Sequence, residues 1–237
     1  MSARLLEVRG LTAGYRGTPA IRGVDLSVDA GEVVAVLGPN GAGKTTMLLA
    51  VSGLVERYSG SVEVLGRSTE RMRPAAIARL GMSHVPEDRG LFARLTVREN
   101  LRVAARHTRA QTATVLDYFP ELGPLLDRRA GLLSGGEQQM LALARALVSG
   151  PSLLLVDEMS LGLSPVLVER LFPLVRRIAN DTGCGVVVVE QHVDVALSIA
   201  DRASVLRHGE VVVHEAAAHL RANPHLLAES YLGGANP

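Results

Sequence analysis

The sequence predicts an α/β fold with a mainly parallel sheet, a small antiparallel β region at the N-terminus and an inserted helical subdomain. Three observations carry that prediction. Val33 to Leu37, Leu153 to Val156 and Gly185 to Val189 are short, nearly continuous apolar runs of the kind buried on both faces of a parallel sheet. The first of them leads directly into the glycine-rich run Gly38-Pro39-Asn40-Gly41-Ala42-Gly43-Lys44-Thr45. Between about Pro86 and Pro151 the apolar periodicity turns helical, with no convincing strand.

Taken in order, Leu6, Val8, Leu26 and Val28 alternate in short stretches broken at Gly10, Gly14, Gly17 and Gly23, which reads as antiparallel strands and turns. The helix after Lys44 carries Met47, Leu48 and Val51 on one face and stops near Gly53; Ser61 to Leu65 is a further short strand. In the helical segment, Val97, Leu101, Ala104 and Ala105 recur on one face, then Val115, Leu116 and Phe119. Its last helix is the clearest, with Met140, Leu143, Ala144, Leu147 and Val148 on one face and Gly150-Pro151 as stop signals. Ala203 to Leu206 is a later strand, and Glu210 to His214 pairs as a terminal hairpin. The expected organisation is one domain over 1–237, with 1–85 and 152–237 forming the core and 86–151 the helical subdomain.

Chemistry enters at residues 38–45. The spacing G-x-x-x-x-G-K-[ST] aims backbone N–H groups at phosphates, lets Lys44 reach the β- and γ-oxygens and offers the Thr45 hydroxyl to Mg²⁺. Of the 25 basic residues this is the one lysine; the rest are arginine, whose planar fork fits a closing phosphate loop poorly. Asp157 and Glu158 end the run from Leu153 at a strand's C-terminal edge, where α/β sheets bind ligands. Asp157 is placed in the Mg²⁺ shell and Glu158 beside the attacking water, since paired acids repel unless a cation or a reaction uses them. Ser134 and Glu137 have the spacing of a capping box, which accounts for both without a ligand. Gly135 and Gly136 are poor first-turn residues, and read as room for an anion close to a positive helix end.

Composition excludes several other classes. A net charge of +1, from 25 basic and 24 acidic residues, gives no electrostatic case for nucleic acid or an anionic membrane as main partner. Cys184 is the single cysteine, so an intrachain disulfide and a multi-cysteine metal site are both ruled out. Histidines 84, 107, 192, 208, 214, 219 and 225 show no metal-ligand spacing with it, and most are expected to be solvated. Hydrophobic content is 47 %, yet the longest apolar runs are far too short to span a bilayer, and no signal-peptide pattern follows Met1. A GTP-type N-K-x-D motif is excluded because the lysine is already used.

The run Leu133-Ser134-Gly135-Gly136-Glu137-Gln138-Gln139 resembles the signature of ATP-binding cassette (ABC) ATPases. Together with GPNGAGKT and LLLVDE in this order and spacing, the resemblance covers essentially the whole chain. It implies a P-loop NTPase (RecA-like) core that binds ATP with Mg²⁺ at Gly38, Pro39, Asn40, Gly41, Ala42, Gly43, Lys44, Thr45 and Thr46. Two such domains meet head to tail in that family, so Leu133 to Gln138 would complete the site on a second subunit. Tyr15 lies where the family places an aromatic under the adenine. Val85-Pro86-Glu87-Asp88-Arg89, Leu95 to Leu101, Asp157 to Leu163 and Val189-Glu190-Gln191 look like the ATPase of branched-chain amino-acid importers, the LivF type; urea and amide importers are related alternatives.

Three positions depart from the general pattern of that family. Glu87 stands where most members have glutamine, adding a carboxylate near the triphosphate and Mg²⁺. Counting back ten positions from Asp201 and five from Ala196 puts Gln191, not His192, at the switch position; glutamine can donate a hydrogen bond but cannot shuttle a proton. Ser164 stands where the dimer-interface loop usually has aspartate. The resemblance implies an ATPase at the cytoplasmic face of a membrane, working with a second ATPase, a different chain or a copy of itself. Two transmembrane permeases and an extracytoplasmic solute-binding protein complete the set. A weakly hydrolysing dimerisation module and a soluble non-transport ABC ATPase are the other readings; the latter group commonly carries a long coiled-coil insertion or a duplicated cassette, and neither is present in this sequence. Replacing Lys44 by arginine keeps the charge, yet a nucleotide-binding titration is expected to show loss of ATP affinity; near-normal affinity would refute a lysine-specific role.

Overall fold

The fold is described from a computed structural model, which covers residues 3–105 and 109–227. β1 (Arg4–Tyr15) and β2 (Thr18–Asp29) form a hairpin, followed by β3 (Val33–Leu37), α1 (Lys44–Val51), β4 (Glu56–Val64), β5 (Arg67–Ser68), α2 (Pro74–Arg79) and β6 (Met82–Val85). A helical stretch then holds α3 (Val97–Ala104), α4 (Arg109–Tyr118), 3₁₀ turns at Pro120–Leu125 and Ala130–Leu132, and α5 (Gly135–Leu147). The chain returns through β7 (Leu153–Asp157), α6 (Pro165–Thr182), β8 (Gly185–Glu190), α7 (Val193–Ile199), β9 (Arg202–Arg207), β10 (Glu210–Ala216) and α8 (Ala217–Ala222).

The described strands form two sheets. One is antiparallel, in the order β2-β1-β4-β5; the other runs β10-β9-β3-β8-β7-β6 and is parallel except for the β9–β10 hairpin. The apolar runs behave as their composition requires, because alternate side chains of one strand enter different cores. Leu154, Val156, Val186 and Val188 pack with α5 and α6, whereas Leu153, Leu155, Val187 and Val189 pack with α1 and the antiparallel sheet. Register fixes the division: Leu154 lies opposite Val186 and Val156 opposite Val188. A strand displaced by one residue would exchange the two faces.

Two readings of the sequence change. Gly10, Gly14 and Gly23 do not break the first strands; they sit at register shifts inside two twelve-residue strands, and Gly17 alone occupies the turn. The strand read at Ser61 to Leu65 begins five residues earlier, at Glu56, because its first half pairs with Arg9 to Gly14 of β1. The longest described helix, α6, lies outside the sequence reading although its signals are present. Ser164 and Pro165 open it, Gly183 closes it in the left-handed region, and Val168, Leu171, Phe172, Val175, Ile178 and Ala179 form its buried stripe. The helices α2, α7 and α8 and the strands β5 and β6 are further elements beyond the sequence reading.

Five of the histidines, 192, 208, 214, 219 and 225, are exposed, while His107 lies outside the described residues. His84 is the exception. It sits mostly buried on β6, its Nδ1 shares a 3.0 Å hydrogen bond with Ser52 Oγ, and burial pushes its pKa down to about 4. Cys184 is buried, with its thiol pushed up to about 12 by burial, so it packs and does not react. No described helix is long and apolar enough to cross a membrane. Phe172, almost fully buried on α6, anchors that helix to the sheet; Phe172→Ala is expected to cost about 3–5 kcal/mol of unfolding free energy, read by denaturant titration.

Candidate functional site

Parallel pairing brings three strand ends level, since Leu37 lies opposite Glu190 and Asp157 opposite Val189. From the end of β3 the chain turns through 38–43 into α1, whose N-cap Gly43 has a φ of 106° and offers no capping side chain. The first-turn N–H groups of α1 are therefore left for a ligand. Glycine is required here by space as well as by φ. A Cβ on Gly43 would stand 2.6 Å from Ile21 Cγ2, and one on Gly38 would stand 2.3 Å from Leu206 O.

Lys44 is 5 % exposed and points back into its own loop. Its Nζ donates to Gly38 O at 2.8 Å and Pro39 O at 3.2 Å, and it pairs with Glu158 Oε1 at 3.1 Å. All three ammonium protons are thus directed. Glu158 follows β7 with a left-handed φ of 48°, unusual for a residue with a side chain, and its Oε2 accepts from Gln191 Nε2 at 3.1 Å. A recess of about 260 Å³ is lined by Asn40, Gly41, Gly43, Lys44, Thr45 and Thr46 from the loop and α1, with Glu87, Glu158 and Gln191 opposite. Ala20 completes its wall, a residue that sequence reasoning missed because an alanine in a strand carries no chemical signal.

Asp157 is buried, and its Oδ1 has no hydrogen-bond partner. Burial pushes its pKa up to about 6, a hydrogen bond from Thr45 pulls it down, and the charges of Glu158 and Glu87 push it up again. An orphaned carboxylate oxygen beside a threonine hydroxyl, with two further carboxylates in reach electrostatically, is a hard-oxygen donor set suited to Mg²⁺. The residues predicted for the metal therefore fit it.

Not every predicted residue meets here. Tyr15, at the end of β1, is 51 % exposed and does not line the recess. None of residues 133–138 lines it either. Ser134 caps α5 in a complete capping box, with Glu137 N–H to Ser134 Oγ at 3.3 Å and Ser134 N–H to Glu137 Oε2 at 2.7 Å. Gln138 is engaged within its own chain, accepting from Arg89 at 2.9 Å and donating to Leu133 O at 3.2 Å. A Cβ on Gly136 would lie 2.2 Å from Leu167 Cδ2, the end of a half-buried side chain on α6, so a substitution there would oblige Leu167 to turn aside. Gly135 has room, its nearest would-be neighbour being Arg89 at 3.7 Å.

Residues 21–160 match the ABC transporter family. The chain is 41 % identical over 225 residues to the high-affinity branched-chain amino acid transport ATP-binding protein BraG of Pseudomonas aeruginosa, covering 93 % of this chain and 96 % of that protein. It is 37 % identical over 221 residues to a probable branched-chain amino acid transport ATP-binding protein LivF of Archaeoglobus fulgidus, covering 91 % and 94 %. Among solved structures, a dimeric bacterial ABC transporter cassette superposes with a TM-score of 0.80 at 26 % identity, over 90 % of this chain and 99 % of that one. With its phosphate loop, paired strand-end carboxylates and capped signature helix in the positions described, the chain belongs to the ABC transporter ATP-binding family.

Proposed function

We propose that this ABC ATPase energises an importer of branched-chain amino acids from the cytoplasmic face of a membrane. It would do so as half of a head-to-tail dimer with a second, different ATPase chain. The observation that carries the dimer is the separation of the two motifs: the recess around Lys44 is built without Ser134 to Gln138, so one chain supplies part of two sites. The likeness to BraG and LivF supports the solute class. A groove of about 500 Å³ between the β6 side of the core and the helical segment supports a permease contact. Exposed Leu54, Phe92 and Val103 line it with Arg145, which stacks over the Phe92 ring at 5.4 Å.

The chemistry follows from the side chains in place. Incoming β- and γ-phosphates compete for the Lys44 ammonium, which exchanges Glu158 for phosphate oxygen and so frees the carboxylate. Glu158 then accepts the proton of the water that attacks the γ-phosphorus as ADP leaves, and Gln191 Nε2 holds the Glu158 carboxylate in place. Thr45, Asp157 and Glu87 would hold Mg²⁺, which when bound neutralises charge on the β- and γ-oxygens. The second subunit's counterpart of this segment would close over the γ-phosphate bound here, as Leu133 to Gln138 of this chain would close over the one bound there, and Tyr15 would stack on the base. Gln191 cannot take up a proton as imidazole can, which gives the weakly hydrolysing module its support.

Two measurements follow. With the neighbouring permease, receptor and second ATPase reconstituted in proteoliposomes, leucine, isoleucine or valine is expected to stimulate ATP turnover; stimulation by urea or an amide instead would transfer the chain to those importers. Because the Asp157 pKa is raised, its protonated form persists to about pH 6, and a cation must displace that proton. Mg²⁺-dependent nucleotide affinity is therefore expected to fall about tenfold between pH 7.5 and 5.0, and Asp157→Asn to abolish this dependence while weakening binding throughout.

A further inference from the structure

β7 and β8 share their last ladder position at Asp157 and Val189, and beyond it the two strand ends are held by other means. The Glu158 N–H donates to Val189 O at 2.9 Å, and Gln191 Nε2 donates to Glu158 Oε2 at 3.1 Å. Between these two contacts the carboxylate of Glu190 takes both donors of Ser160: the N–H at 3.0 Å on Oε1 and the hydroxyl at 2.6 Å on Oε2. Glu190 is 0 % exposed.

A carboxylate in that position is costly. Burial and the nearby Glu158 disfavour its charge; Ser160 favours it, with a smaller contribution from His192. The four preceding residues are valines, so an apolar side chain would extend the buried run without that cost. What the carboxylate achieves is a fixed turn after Glu158. Glu158 holds a left-handed φ of 48°, a conformation that persists in a residue with a Cβ only where its surroundings enforce it. The Ser160 turn lies two residues beyond it, and Gln191 is the next residue after Glu190.

We propose that Glu190 is a positioning residue for ATP hydrolysis, whose clamp on Ser160 sets the placement of Glu158 against Gln191. This rests on Glu158 acting as the general base. The clamp does not touch the phosphate loop, so its loss lowers turnover and spares ATP binding.

The test measures kcat and KM for ATP in the assembled transporter. Glu190→Gln and Ser160→Ala are each expected to lower kcat about tenfold with KM within twofold of wild type. Ser160→Thr, which keeps the hydroxyl, is expected to stay within twofold of wild-type kcat. A general loss of packing would not give that rescue with an unchanged KM. Wild-type kcat in both Glu190→Gln and Ser160→Ala overturns the proposal, as does a Ser160→Thr no better than Ser160→Ala. Glu158→Gln serves as the reference. If it abolishes turnover while the clamp variants are normal, the clamp alone is refuted; if it leaves turnover unchanged, the base assignment fails and the positioning role falls with it.

Discussion

The site depends on parallel pairing of three strands that are buried on both faces. Because β3, β7 and β8 enter the sheet in the same direction and in fixed register, their C-terminal ends arrive at one edge together. Each end then delivers different chemistry: the phosphate loop from β3, two carboxylates from β7, a carboxylate and an amide from β8. The three contributions are far apart in sequence. The apolar side chains that set the register also set the distance between Lys44 and Glu158, over a separation of 114 positions, and packing thereby controls the chemistry.

At that edge the charge balance is uneven. Among the described residues Lys44 is the one cation lining the recess, whereas Glu87 and Glu158 line it and Asp157 lies beside Thr45. The ammonium is already committed to Glu158 and two carbonyls of its own loop. A buried pair of this sort contributes little net stability, since desolvation offsets most of the attraction, but breaking it without a replacement is costly. Phosphate oxygens and a divalent cation would together supply what each side loses on separation.

Much of this was legible in the sequence, and the reasons differ by element. The apolar strands were legible because a run buried on both faces admits few other residue types. Lys44, Asp157 and Glu158 could be singled out because phosphate and metal chemistry narrow the choice of side chain, and the structure brings Lys44 and Glu158 together with Asp157 beside Thr45. The β1–β2 bulges were not, since a glycine within a strand gives the same local signal as a glycine that ends one. The α6 helix could have been found from Ser164-Pro165 and Gly183, but its apolar stripe follows a glycine- and serine-rich loop that reads as turn. The Glu190–Ser160 contact has no sequence signature, because two polar residues 30 positions apart meet only through strand register.

The contact between Gly136 and Leu167 has a consequence for how the chain can vary. The space that a side chain at 136 would need is taken by the tip of Leu167 from a different helix, so a change at 136 is felt first at 167. A larger residue at 136 is accommodated either by Leu167 turning toward solvent or by a shorter residue at 167, and each route loosens the packing between α5 and α6. The start of the signature helix is thus bordered by a leucine outside the chemistry, whose rotamer sets how much variation at 136 costs.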